Sequence, residues 1–241
     1  MAAGSGMWAG RGRSRQYRRR RPLPALIVLL VLGLISAFVW IKVFADDGKP
    51  SAGASCDPPA GPPATIEGQP PPKLGQPQDG TSLDKTMPVP PGQVLVKVLN
   101  ASTQRGQAGE VTEGLRQLGF AQVAPADNDN LYLAAKDPAF ALSCRAQIRF
   151  GQQGAAAART LSLIEPCAQL VKDGRQDATV NLALGKDFDN LHPKSEAMRV
   201  LEQLTAWAVQ HPEAQGGLQG NPQALPQLDA EQLRAARDVK C

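Results

Sequence analysis

Apolar positions in this chain fall into one long run and then several short, periodic ones. From Leu23 to Ile41 the sequence is free of charge and mostly apolar. At about 1.5 Å per residue such a run reaches roughly the 30 Å of a bilayer's hydrocarbon core. It predicts one transmembrane helix over residues 23–44. Beyond Gly92 the pattern shortens: Val94-Leu95-Val96-Lys97-Val98-Leu99 reads as a largely buried strand ending at Asn100. Val111, Leu115 and Leu118 then recur at helical spacing, and Gly119 stops that helix. Phe120 to Ala124 predicts a short strand and Gln147-Ile148-Arg149-Phe150 an alternating one.

Gly154 opens a helix running through the alanines to Ile164, closed by Pro166. Ala168 to Val171 is a candidate further short strand, and Thr179 to Leu184 alternates Val180, Leu182 and Leu184 against smaller residues. A third helix from about Lys194 to Gln210 sets Met198, Leu201, Leu204 and Ala208 on one side, and Asp229 with Gln232 starts a last short helix. From Gln93 to Gly185 the order is strand, helix, strand, strand, helix, strand. We therefore expect an α+β fold, a small two-layer βαββαβ sandwich in a split βαβ arrangement, with both helices on one face and further helices at the C-terminal end. The predicted organisation is a tail (1–22), an anchor (23–44), a linker (45–92), one domain (93–210) and a tail with a short helix (211–241). Segments such as Gly61-Pro62-Pro63 and Pro70-Pro71-Pro72 make the linker a semi-rigid spacer holding the domain away from the membrane.

Charge changes the picture by its placement. Seven of the 26 basic residues lie between Arg11 and Arg21, and all 22 acidic residues follow Pro22, leaving 19 basic against 22 acidic, a net −3. The basic cluster marks the cytoplasmic side of a single-pass anchor and places the domain outside the cell membrane. It contacts anionic lipid and gives no support for nucleic-acid binding. A cleaved signal peptide would have a shorter apolar core, whereas this run ends at Trp40 and Lys42, which suit an interfacial anchor.

All four cysteines, Cys56, Cys144, Cys167 and Cys241, fall on the oxidising side, where disulfides persist. Three connectivities are possible; placement within the domain favours Cys144 with Cys167 and Cys56 with Cys241. Their spacing fits no zinc site, and no metal or other cofactor is expected.

The search for chemistry finds no nucleophile with a base and an orienting partner. Ser82 and Lys85 form a Ser-x-x-Lys pattern within the linker, without a pocket. Asp127-Asn128-Asp129-Asn130 resembles the start of a calcium loop, yet Leu131 stands at the third ligand position, so it reads as a solvated turn. Asp187 and Asp189 have no histidine or nucleophile at a catalytic spacing, and Asp187 reads as a turn or capping residue. Gly185-Lys186 lacks the first glycine and the terminal Ser/Thr of a phosphate loop. The turn Asn100 to Gly109, with Gly106 and Gly109, joins a strand to a helix without a nucleotide-binding spacing.

Taken in order, Val96-Lys97-Val98-Leu99-Asn100-Ala101, then Gly106, Ala108 and Gly109, then Gly114-Leu115 and Leu118-Gly119-Phe120, resemble the LytR C-terminal domain. Val180 to Leu184 followed by Gly185-Lys186-Asp187-Phe188 fits the same family's closing strand and Gly-x-Asp-Phe turn. The resemblance covers roughly Gln93 to Asn190; the stretch from Ala126 to Arg145 and the tail with Cys241 depart from it. It implies a non-enzymatic envelope role for a domain standing alone behind one anchor, without the LytR-CpsA-Psr catalytic domain.

The expected function is support of cell-envelope integrity through a partner, either another envelope protein or a cell-wall polymer. The expected contact surface gathers Asn100, Ser102, Arg105, Gly106 and Gly109 of the turn with Lys186 and Asp187 of the later loop, since both follow strand ends. The alternative is a peptidoglycan- or other glycan-binding module, with Trp207, Phe150, Phe188 and Tyr132 as the aromatic candidates.

Overall fold

The computed structural model describes residues 29–33, 36, 55–59, 75–134, 136–212 and 226–241. Residues 29–33 are helical, with Leu29, Leu30, Val31 and Leu32 exposed. No described helix is long and apolar enough to cross a membrane. The rest of the predicted anchor lies outside the described residues, apart from Ser36.

The second unit, residues 50–241, is built on one mixed sheet. Its strands are β1 (Gln76–Pro77), β2 (Leu95–Asn100), β3 (Gln122–Asn128), β4 (Ala146–Phe150), β5 (Gln169–Lys172) and β6 (Val180–Leu184). Its helices are α1 (Gln107–Gln117), α2 (Ala155–Ile164), α3 (Ser195–Gln210) and α4 (Ala230–Ala235). The strand order is β1-β5-β4-β6-β2-β3. Crossovers through α1 and α2 each join directly paired parallel strands, β2 with β3 and β4 with β5. That corrects the expected split arrangement: β6 inserts between the two units, parallel to β2 and antiparallel to β4, and Gln169–Lys172 adds a strand to the βαββαβ order.

Period-two alternation gives the sheet two unlike faces. Val96, Val98, Ala146, Ile148, Phe150, Leu170, Val180, Leu182 and Leu184 pack with Ala108, Val111 and Leu115 of α1 and Ala157, Ala158, Leu161 and Ile164 of α2. Both helices thus share one core. The helix α3 adds Leu201 to it and turns Ala197, Val200 and Leu204 toward Leu163 of α2, where Leu233 of α4 and Ala236 just beyond it join them. The opposite face holds a smaller cluster of Leu99, Ala101, Leu131, Tyr132, Leu142, Cys144 and Ala183, under the stretch between β3 and β4.

Local chemistry explains the boundaries. Gly119 at φ +89° ends α1, with its N–H bonding the Arg116 carbonyl and Phe120 N–H reaching that of Leu115, a left-handed cap. Pro125 sits where the pairing of β2 with β3 slips by one residue between Lys97 and Leu99, on an edge strand where its missing N–H is tolerated. Asp229 caps α4 by accepting from Glu231 N–H, as expected for a helix starting there. Within the Pro/Gly-rich stretch, Gln76–Pro77 pairs with β5 and Leu83 joins the main core. The carboxylate of Asp84 accepts from two buried arginines, Arg159 of α2 at 2.9 Å and Arg237 beyond α4 at 2.8 Å.

The disulfides join Cys56 to Cys144 and Cys167 to Cys241, correcting the expected pairing. Segment 55–59 lies on the second face of the sheet, where Asp57 N–H donates to Ser143 and Tyr132 OH donates to the Asp57 carbonyl. Cys144 is therefore taken there, while Cys167, beyond α2, meets the chain leaving α4.

A candidate partner surface at the strand ends

Asn100 ends β2 beside the end of β6, its register partner being Leu184. Its side chain organises the following turn: Oδ1 accepts from Ser102 N–H at 2.9 Å, and Nδ2 donates to the Gln104 carbonyl at 2.8 Å. Ser102 Oγ lies 2.9 Å from Asn100 Oδ1 and 3.0 Å from Gln107 Oε1. Buried Gln107 donates to the Phe188 carbonyl at 3.0 Å, tying the turn to the loop after β6. Gly106 takes φ +82° at the start of α1, a left-handed conformation that suits glycine.

This frame leaves Thr103 and Arg105 exposed beside a hollow of about 540 Å³ that Asn100, Ser102 and Gly106 also line. Gly109 borders an adjoining hollow of about 240 Å³ with Asn100, Gly106 and Asn128. Asn100, Ser102, Arg105, Gly106 and Gly109 thus come together. Lys186 and Asp187 take a different course. Gly185 packs so closely that a Cβ would fall on the Cys144 carbonyl, Lys186 N–H donates to the Leu142 carbonyl, and Asp187 lines a separate cleft.

That second cleft, about 480 Å³, is bordered by Cys144, Cys167 and Cys241 and thus by both disulfides. Arg145 crosses it. Its guanidinium donates to buried Glu165 at 2.8 Å, to Asp189 and to the Asn190 carbonyl, and stands 4.9 Å over the Phe188 ring. The two carboxylates respond in opposite directions. Burial raises the pKa of Glu165 in spite of Arg145, whereas exposed Asp189 is held well below the usual carboxylate range, chiefly by its hydrogen bond from Arg145.

Sequence patterns missed this network and a second one on the open face of the sheet. Asp129, expected in a solvated turn, is buried and pairs with buried Arg149; Asp127 and Asn128 belong to β3. One signal was available: the alternation of Gln147, Ile148, Arg149 and Phe150 places Arg149 on the face opposite the apolar core. No group of three or more metal-ligating side chains gathers among the described residues.

A family profile described as LytR cell envelope-related transcriptional attenuator matches residues 93–188. The cell envelope integrity protein Cei of Mycobacterium tuberculosis is 36% identical over 196 residues, spanning 81% of this chain and 86% of Cei. The chain belongs to the LytR C-terminal domain family. A solved structure of the soluble domain of a conserved hypothetical secreted protein from Mycobacterium marinum is similar at a TM-score of 0.57 and 34% identity, covering 70% of this chain and 99% of that one. The profile begins at Gln93, ahead of β2, and ends at Phe188, so it takes in both crossovers and β6. The family region therefore contains the Asn100 turn, Gln107 and the Phe188 carbonyl that it bonds.

Proposed function

We propose that this chain is a membrane-anchored, non-enzymatic envelope protein whose extracytoplasmic domain supports envelope integrity by binding an envelope partner. The observation that carries this reading is the 36% identity to Cei across 81% of the chain, Cei being named for cell envelope integrity. The anchor rests on the apolar run over 23–44 and its arginine-rich flank. The non-enzymatic reading rests on the family and on a sequence that offers no nucleophile paired with a base.

The contact surface in this proposal is the hollow beside Asn100. Hydrogen bonds within the turn hold its frame, so the backbone that presents exposed Thr103 and Arg105 is already ordered before binding. Lys186 and Asp187, drawn away by the close approach of Gly185 to Cys144, are not part of this surface.

In-cell crosslinking from a photoreactive residue at position 105, followed by mass spectrometry, tests the partner. Capture of a cell-wall synthesis or division protein supports the proposal. Capture of cell-wall glycan alone replaces it with the glycan-binding module, and a null result removes this turn from the contact surface.

A further inference from the structure

Helices cover one face of the sheet, while the stretch between β3 and β4 covers only part of the other, and the open part meets the strand-end hollow at Asn128. What stays open is a cleft of about 530 Å³, within the roughly 300–1,000 Å³ of ligand pockets. Its floor is a row across three strands. Asn181 of β6 stands in register between Lys97 of β2 and Arg149 of β4. The Asn181 side-chain amide lines the cleft and makes no hydrogen bond to a described residue.

The groups around that amide are fixed. Arg149 and Asp129 have side chains only 4% and 2% exposed and pair at 2.6 Å. Arg175 and Asp173 pair at 2.6 Å on the far wall, and Lys97 pairs with Asp127 at 3.0 Å. Each cation in the cleft therefore already has a carboxylate, which leaves none to recruit an anion. Asp177, on an exposed rim, accepts from Thr179 and lies in the field of Arg175, whose own ion pair is with Asp173, so among the described lining residues carboxylates exceed cations by one.

Composition narrows the ligand further. Among the described residues, Leu99 and Leu131 are the only large apolar side chains lining the cleft, and no aromatic ring lines it to stack on a sugar. A carboxamide offers a donor and an acceptor side by side, the complement of a peptide group. We propose that this cleft is a second binding site, for a short polar peptide segment carrying an ammonium or guanidinium group. In it Asn181 pairs with the peptide backbone and Asp177 receives the cation. The proposal rests on Asn181 and Asp177, neither of which lines the hollow at Asn100.

The test uses the full chain in lipid nanodiscs, fluorescently labelled and applied to a bead library of pentapeptides acetylated and amidated at their ends. The expected result is enrichment of Lys or Arg at one position, with affinity for the enriched peptide falling about tenfold in Asn181→Ala, the effect of losing the hydrogen bonds of one amide. Asp177→Asn, at an exposed position that does not test folding, is expected to remove the preference for Lys and Arg. Absence of enrichment, enrichment of acidic or aromatic residues, or equal binding by both variants would overturn the proposal. Displacement of the peptide by chitotriose at lower concentration than by free peptide would also overturn it, in favour of a glycan site.

Discussion

Arg149 and Asp129 meet through two parallel hydrogen bonds, Nη1 to Oδ1 at 2.9 Å and Nη2 to Oδ2 at 2.6 Å. The pair joins β4 to the stretch that leaves β3, and Asp129 also accepts from Leu131 N–H at 3.1 Å. A buried pair of this kind contributes little net stability over an apolar pair, yet removing one partner strands the other charge. Asp129→Ala is expected to lower unfolding free energy by about 3–5 kcal/mol. The double change Arg149→Met with Asp129→Leu should cost clearly less. Urea titrations followed by circular dichroism measure both, and an equal loss in the two variants would assign the cost to packing instead.

Glu165 gives the fold a pH dependence of defined sign. Burial raises its folded pKa above the ordinary 4.5, so the folded state holds this proton at a pH where the unfolded chain has released it. The stability that comes from this group is complete below 4.5 and declines as pH climbs through the raised value. Glu165→Gln has no such proton. The difference in Tm, wild type minus variant, is expected to narrow between about pH 4 and about pH 7. A difference that widens instead would mean that attraction to Arg145 outweighs desolvation.

Cys56 and Cys144 lie 88 residues apart in sequence. Breaking a loop of that size by Cys56→Ser with Cys144→Ser is expected to cost about 4 kcal/mol, through the entropy returned to the unfolded chain. Non-reducing proteolysis with mass spectrometry should recover peptides linking Cys56 to Cys144 and Cys167 to Cys241. Recovery of a Cys144–Cys167 peptide would contradict the fold described above.

Asn100 and Arg105 belong to one turn but separate frame from contact. Asn100→Ala removes the one acceptor, Oδ1, that serves both the N–H and the hydroxyl of Ser102, and a donor to Gln104, and is expected to destabilise by about 1–3 kcal/mol. Exposed Arg105→Ala should leave Tm within about a degree while impairing envelope integrity, read as detergent sensitivity at unchanged protein level. Equal losses of Tm in both would make the whole turn structural.

Much of the fold was legible because periodicity reports burial. Val96 and Val98, or Val180, Leu182 and Leu184, alternate because one side of their strands packs on helices, and Gly119 punctuates α1 by its backbone freedom alone. What escaped is set by distant chain segments. Gln76–Pro77 becomes a strand through its partner β5, and nothing in its own two residues says so. Asp129 looks solvated beside three polar neighbours until Arg149 arrives from β4. The cysteine pairing likewise depends on where segment 55–59 and the C-terminal chain run, which spacing does not encode. At the candidate surface, the turn was readable as a strand-to-helix junction, whereas the departure of Asp187 into the disulfide-bordered cleft follows from the close approach of Gly185 to Cys144.

The Cys56–Cys144 bond also decides where the domain bears load. Tension arriving along the chain ahead of residue 55 passes through sulfur to Cys144, at the foot of β4, a strand with neighbours on both sides. The chain between Cys56 and β1 is bypassed by that bond. The two-residue β1, which a direct pull through the linker would peel from β5, is spared that pull.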